Sequence, residues 1–169
     1  AQQYDSQALS ELCELFFEDV YSYFYYRARD AADAQDLTND VFVRLVESIR
    51  SFDPARGGFR AWLFSIAHHR LVDYRRRQAV RGHQPLEEGL ANPEDGPAVQ
   101  VEAQLTVERL QNALDLLTEE QRQVIVLKFI EGLSNAEVAQ ILGKSEGAIN
   151  ALQYRGLRAL RQRLRTGAS

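Results

Sequence analysis

Apolar residues recur along most of this chain at intervals of three and four, the repeat of amphipathic helices, and alternating strand patterns are nearly absent. A first helix is expected from about Ser6 to Arg27, rich in rings at Phe16, Phe17, Tyr21, Phe24 and Tyr25. Asp30 is placed to cap a second helix, with Asp33 and Asp36 in its first turns, where carboxylates suit the helix dipole. Leu37, Val41, Leu45 and Ile49 then mark one buried face. The stretch SFDPARGG, Ser51 to Gly58, breaks the period with a proline and two glycines and reads as a loop. A third helix is expected from Phe59 to about Arg77.

Between Val80 and Val99 the apolar period disappears, and the segment holds three of the chain's four prolines. It reads as a flexible linker. Helices resume near Val99. TEEQ, Thr118 to Gln121, fits a capping box opening a helix through Phe129, and SNAE, Ser134 to Glu137, fits another opening a helix from Asn135 to Leu142. Gly143 stops that helix. The last helix starts near Ser145 or Glu146 and runs to about Leu164, with Ile149, Leu152, Leu160 and Leu164 free to face inward. The expected fold is all-α: two small helical domains, residues 5–78 and 99–165, joined by a linker over 79–98.

Composition narrows the function more by exclusion than by assignment. With 45% hydrophobic residues in 169, a packed core is within reach. No apolar run approaches the ~18–20 residues of a membrane span, and no basic-then-hydrophobic leader is visible, so a cytoplasmic location without membrane insertion is expected. The absence of methionine implies that the original start precedes Ala1. Cys13 stands alone, which fits a reducing compartment. His68 and His69 are adjacent and point apart on a helix, with no third ligand, so no metal is expected; no cofactor motif is present either. Asp73 lies one turn from His69 without a placed nucleophile, so general acid–base catalysis is unsupported and the chain does not read as an enzyme.

The formal net charge of −4 looks wrong for a partner of nucleic acid. Its distribution reverses that impression. Residues 1–54 sum to −7, residues 55–82 to +6, residues 83–123 to −7 and residues 124–169 to +4. An anionic partner responds to local field, and two separated basic blocks imply two separate contacts with a polyanion.

The first block ends FRAWLFSIAHHRLVDYRRR, Phe59 to Arg77, with rings at one end and arginines at the other. Partly single-stranded nucleic acid uses both, because bases stack on rings and guanidinium groups hold phosphates. The second block, residues 134–155, has the form helix, short glycine turn, helix, the signature of a helix-turn-helix whose second helix enters the major groove. Glu146, Ala148, Asn150, Tyr154 and Arg155 are its outward candidates. On the second helix of the chain, Asp36, Asn39, Asp40 and Arg44 make a polar face available for docking.

Three blocks, DAQDLTNDVFVRL, FDPARGGFRAWLFSIAHHRLVDYRRR and LTEEQRQVIVLKFIEGLSNAEVAQILGKSEGAINALQYRGLRAL, together resemble the bacterial extracytoplasmic-function (ECF) sigma factors, in regions 2 and 4. The resemblance implies a factor that gives core RNA polymerase promoter specificity and opens DNA. Asp36, Asn39, Asp40 and Arg44 match the segment that contacts the β′ clamp helices. Phe52, Arg56, Phe59, Arg60, His69, Asp73, Arg75, Arg76 and Arg77 fall in the part that captures and holds the −10 strand. Lys144, Ser145, Glu146, Ala148, Asn150, Tyr154, Arg155 and Arg158 fall in the part that reads the −35 element as duplex, in a domain that also meets the β flap. The resemblance further implies an anti-sigma partner. The sequence departs from the usual pattern at His69, where a base-reading Asn is common, and at Asn150, where Lys is frequent. A rival reading, an autonomous helix-turn-helix regulator with a helical sensor or dimerisation domain, leaves the ring-and-arginine helix without a purpose.

Overall fold

The computed structural model describes residues 6–28, 30–81 and 99–167, with the side chains of the last segment described from residue 107 onward. Every regular element among them is helical. The first domain comprises α1 (Ser6–Ala28), α2 (Ala31–Ser48) and α3 (Phe59–Arg81); the second comprises α4 (Val99–Asp115), α5 (Glu119–Ile125), α6 (Asn135–Leu142) and α7 (Glu146–Gly167). Asp30 caps α2 by accepting from the Ala32 and Asp33 amides. The expected α2 stripe is buried at Leu37, Val41, Leu45 and Ile49, where it packs with Tyr23, Phe24, Leu63 and Phe64. Short 3-10 turns at Ile49–Ser51 and Pro54–Arg56 order half of the segment expected as loop.

In the second domain both capping boxes form, Thr118 with Gln121 and Ser134 with Glu137. Gly143, at φ 65°, closes α6 in the left-handed conformation that glycine tolerates. The crossing of α7 over α5 is tight: a Cβ at Gly156 would stand 3.0 Å from Ile125 Cγ1, which explains a glycine inside a helix.

Three boundaries differ from the sequence reading. The third helix continues to Arg81, because no breaker stands before Gly82. The expected linker therefore begins inside α3, and the rest of it lies outside the described residues, as does Asp5. The helix expected through Phe129 becomes a π turn at Val126–Ile130, closed by the Glu131 amide on the Val126 carbonyl. Leu164 is 65% exposed, since all residues from Arg161 to Thr166 are exposed and the last turns of α7 have no core face.

The two domains touch. α3 packs on α6, α1 on the π turn, and their buried apolar residues merge into one cluster. This closed arrangement decides which of the candidate residues are free.

Candidate nucleic-acid and docking interfaces

The aromatic end of α3 is a packed cluster. Phe59 lies 5.3 Å from Phe16, 5.6 Å from Phe52 and 5.7 Å from Trp62, measured between ring centroids. These separations suit tilted and edge-to-face pairs. Phe52 and Phe59 are half-buried, so each offers part of a ring to a ligand while packing with the rest. Gly57, at φ 150°, sits beside this cluster, and a Cβ there would stand 3.2 Å from Gln140 Oε1 of α6.

The basic residues of this region divide into two sets. Arg76, Arg77 and His69 are exposed. Arg60 and Arg75 are engaged by the second domain through their side chains, whereas Arg56, with its side chain 88% exposed, meets it only through its backbone carbonyl. Gln140 Nε2 donates to the Arg56 carbonyl at 3.2 Å. Arg60 donates to the Glu131 carbonyl and lies 3.5 Å from the Asp19 carboxylate. Arg75 pairs with Glu119 and donates to the Arg27 carbonyl at 3.1 Å. Asp73 is half-buried on the same helix. Next to the exposed His69, burial and the His69 charge push the His68 imidazole down to about 4, so His68 is a neutral packing residue at pH 7.

Glu131, at the end of the π turn, is only 3% exposed. Asp19, Ser22, Tyr23 and Tyr26 of α1 and Arg60 of α3 surround it. Burial, then the Asp19 carboxylate, push its carboxyl up to about 8 from 4.5. A carboxyl with a raised closed-state pKa stabilises the closed form fully below 4.5, and that contribution is lost as the pH rises through about 8. Small-angle scattering is therefore expected to show the domains parting progressively between about pH 5 and 8. Glu131→Gln should remove that dependence while keeping the closed form; a pH response identical to that of the parent chain would contradict this.

On α7, Glu146, Asn150, Tyr154, Arg155 and Arg158 are exposed and Ala148 is half-buried. Ser145 Oγ accepts from the Ala148 amide at 3.1 Å and so caps α7. Lys144 pairs with Glu120 at 3.0 Å. The side chain of Asn150 is held from behind: Asn135 Nδ2 donates to its Oδ1, and Lys128 donates to Asn135 Oδ1. That chain leaves Asn150 Nδ2 without a protein partner among the described residues.

Asp36, Asn39 and Arg44 are exposed on α2, whereas Asp40 accepts two bonds from Arg70, at 2.7 and 3.1 Å. Between α2 and α3 a cleft of about 420 Å³ is lined by Asp33, Asp36, Asn39, Asp40, Arg70 and Tyr74. Tyr74 donates to Asp33 at its edge; burial first, and that bond second, hold the phenol well above its ordinary pKa.

The residues that sequence reasoning missed are the supports and the interdomain partners: Asn135 and Lys128 behind Asn150, Arg70 behind Asp40, and Arg27, Glu119, Glu131 and Gln140 between the domains. A carboxylate pair at Glu119 and Glu120 inside an acidic block facing two basic ones was the available signal for the third group.

Comparison with known proteins places this architecture. The Sigma-70 region 2 family matches residues 13–81, and the Sigma-70, region 4 family matches residues 107–160. The ECF RNA polymerase sigma factor BldN of Streptomyces coelicolor is 36% identical over 162 residues, 95% of this chain; the chain spans 61% of that relative's length. SigX of Bacillus subtilis, also an ECF sigma factor, is 33% identical over 163 residues, covering 90% of this chain and 81% of SigX. Among solved structures, CnrH in complex with the cytosolic domain of CnrY superposes with a TM-score of 0.75 at 27% identity, covering 98% of this chain and 92% of that one. The sigma factor RpoE from Bartonella quintana shares the fold, with a TM-score of 0.73 at 19% identity, over 94% of this chain and 98% of that one. Two helical domains, region 2 before region 4, in a chain a third identical to named members across most of its length, make this protein a member of the ECF RNA polymerase sigma factor family.

Proposed function

We propose that this chain is a promoter-specificity factor: it binds core RNA polymerase, reads the −35 element as duplex through α7 and holds the −10 element as a melted strand on the α3 region. The observation that carries the reading is the joining of two different nucleic-acid surfaces in one chain. One is an exposed recognition helix with a braced Asn150. The other is a half-buried ring cluster that runs into the Arg75–Arg77 end of α3. A duplex reader needs only the first; stacking rings beside guanidinium groups suit unpaired bases. The proposed domain spans are 5–78 and 99–165. The factor acts in the cytoplasm by binding and not by catalysis.

Each surface has a physical task. Phe52 and Phe59 form a wall for an extruded base, with Gly57 and Gly58 letting the backbone approach. Arg56, Arg60, Arg75, Arg76 and Arg77 hold phosphates, and His69 and Asp73 flank the strand. Asn150 reads a base edge, Arg155 and Arg158 hold the duplex backbone, and Lys144, Ser145, Glu146, Ala148 and Tyr154 border the groove. Asp36, Asn39, Asp40 and Arg44 dock the β′ clamp helices, while the second domain meets the β flap. A protein inhibitor is the expected regulatory partner, since CnrH is seen with the cytosolic domain of a second protein.

Co-purification with core polymerase tests the docking step. Asp36, Asn39 and Arg44 are exposed and leave the core intact when changed. Replacing all three with Ala is expected to reduce retention of core enzyme at least tenfold, about 1.4 kcal/mol, without moving the thermal midpoint. Undiminished retention would remove this face from the interface.

A further inference from the structure

We propose that Glu119 of the second domain serves as an internal stand-in for a DNA phosphate, occupying Arg75 in the closed molecule so that domain closure and −10 strand binding exclude one another. The inference rests on the reading of the basic end of α3 as the strand-holding surface, and it adds the residue that keeps that surface shut.

The geometry is that of a polyanion contact. Glu119 Oε1 accepts from Arg27 and pairs with Arg75, while Oε2 lies 3.4 Å from Arg122. Guanidinium groups grip carboxylates and phosphates with the same planar set of donors. Arg27 and Arg75 belong to the first domain, and Glu119 opens α5 of the second, where the capping box fixes its position. The contact therefore forms only when the domains close. Burial alone would raise the Glu119 pKa, but the charges of Arg27 and Arg75 outweigh it and hold the carboxyl below its usual value, so it is ionised at pH 7.

The contact is also unbalanced, and imbalance is what a displaceable mimic needs. One carboxylate faces three guanidinium groups, a local sum of +2. The side chain of Arg27 is wholly buried, yet its Nε and Nη1 have no partner. Buried unpaired donors are costly, so closure leaves a site that still attracts negative charge. Glu119 remains 44% exposed, which limits what its exchange for a phosphate costs. The same closure occupies the Arg60 side chain through the Glu131 carbonyl, while Gln140 meets only the backbone carbonyl of Arg56, whose side chain stays 88% exposed.

The test uses the full chain and a fluorescent single-stranded DNA of about ten nucleotides, with binding read by anisotropy at fixed salt and about pH 6, where Glu131 still favours closure and Glu119 is ionised. Glu119→Gln is expected to strengthen binding roughly three- to tenfold. Glu120→Gln makes the same change of charge one residue away, on a side chain paired with Lys144, and is expected to change binding less than about twofold. Adding Arg75→Ala to Glu119→Gln should cancel the gain. Glu119→Asp, which keeps the charge but shortens the reach, should give a smaller gain, and it carries the test if the Gln variant unfolds. No gain in either Glu119 variant, or equal gains at positions 119 and 120, overturns the inference. Arg75→Ala assayed with core polymerase on a template already opened at −10 reads strand holding directly. Weaker retention of that template together with no gain at 119 leaves the strand-holding reading standing and removes only the mimic. A gain at 119 that survives Arg75→Ala overturns both.

Discussion

Phe59→Ala is expected to cost about 3–5 kcal/mol of first-domain stability and to abolish promoter opening with it. The residue is placed for both effects. Its ring touches Phe16, Phe52 and Trp62 within 6 Å, so truncation opens a gap at the join of α1, the Pro54–Arg56 turn and α3. Its remaining surface faces outward beside Gly57 and Gly58. A base leaving the duplex loses stacking worth a few kcal/mol, and a ring wall offsets part of that loss. The two contributions separate with a second template. A promoter mismatched over the −10 bubble removes the unpairing cost, so initiation by the variant should recover in part at temperatures below its lowered midpoint. Phe59→Leu fills most of the gap without a stacking face. It should restore most of the midpoint but not opening on the paired template. Full activity of Phe59→Leu would assign the ring to packing alone.

Substitutions in α7 should separate reading from holding. Asn150→Ala is expected to cost about 1–3 kcal/mol at one base position and to relax preference there. Arg155→Ala should weaken binding across all sequences and reduce the salt slope by about 1. Both residues are exposed, so neither change removes core. The brace adds a more specific outcome. Asn135 holds the Oδ1 of Asn150 and presents its Nδ2 outward, so Asn135→Ala should reproduce part of the loss at that base position without touching DNA itself. Binding profiles of the three variants on a −35 library, measured with core polymerase, decide the matter. A uniform loss for Asn150→Ala would place that residue on the backbone.

The fold was legible in the sequence wherever local chemistry decides it. Asp30, the two capping boxes and Gly143 act within a few residues of themselves, and each forms as expected. The family resemblance rested on three blocks in order, and both region matches fall on them. Two boundaries escaped because they depend on neighbours. The π turn at Val126–Ile130 lies where α5 meets α1 and α6, and no composition marks it. Leu164 has the spacing of a core residue, but it lies 65% exposed in a run of exposed residues from Arg161 to Thr166. At the candidate sites the sequence marked the residues that face outward and missed those that hold them. Arg70 beneath Asp40 and Asn135 behind Asn150 lie 30 and 15 positions away from what they brace. Glu119 lies 92 positions from Arg27, so only the tertiary fold brings the acidic block onto the basic one.

These two surfaces are expected to work together on one promoter and only with core polymerase. Run-off transcription from a randomised promoter library, with core enzyme and the full chain, tests it most directly. Transcripts are expected only when both components are present. The selected promoters should share one sequence near −35 and another near −10, with Asn150→Ala shifting only the first. Transcription by core enzyme that gains no promoter selectivity from the chain would contradict it. So would tight, sequence-specific binding of duplex DNA by the chain alone.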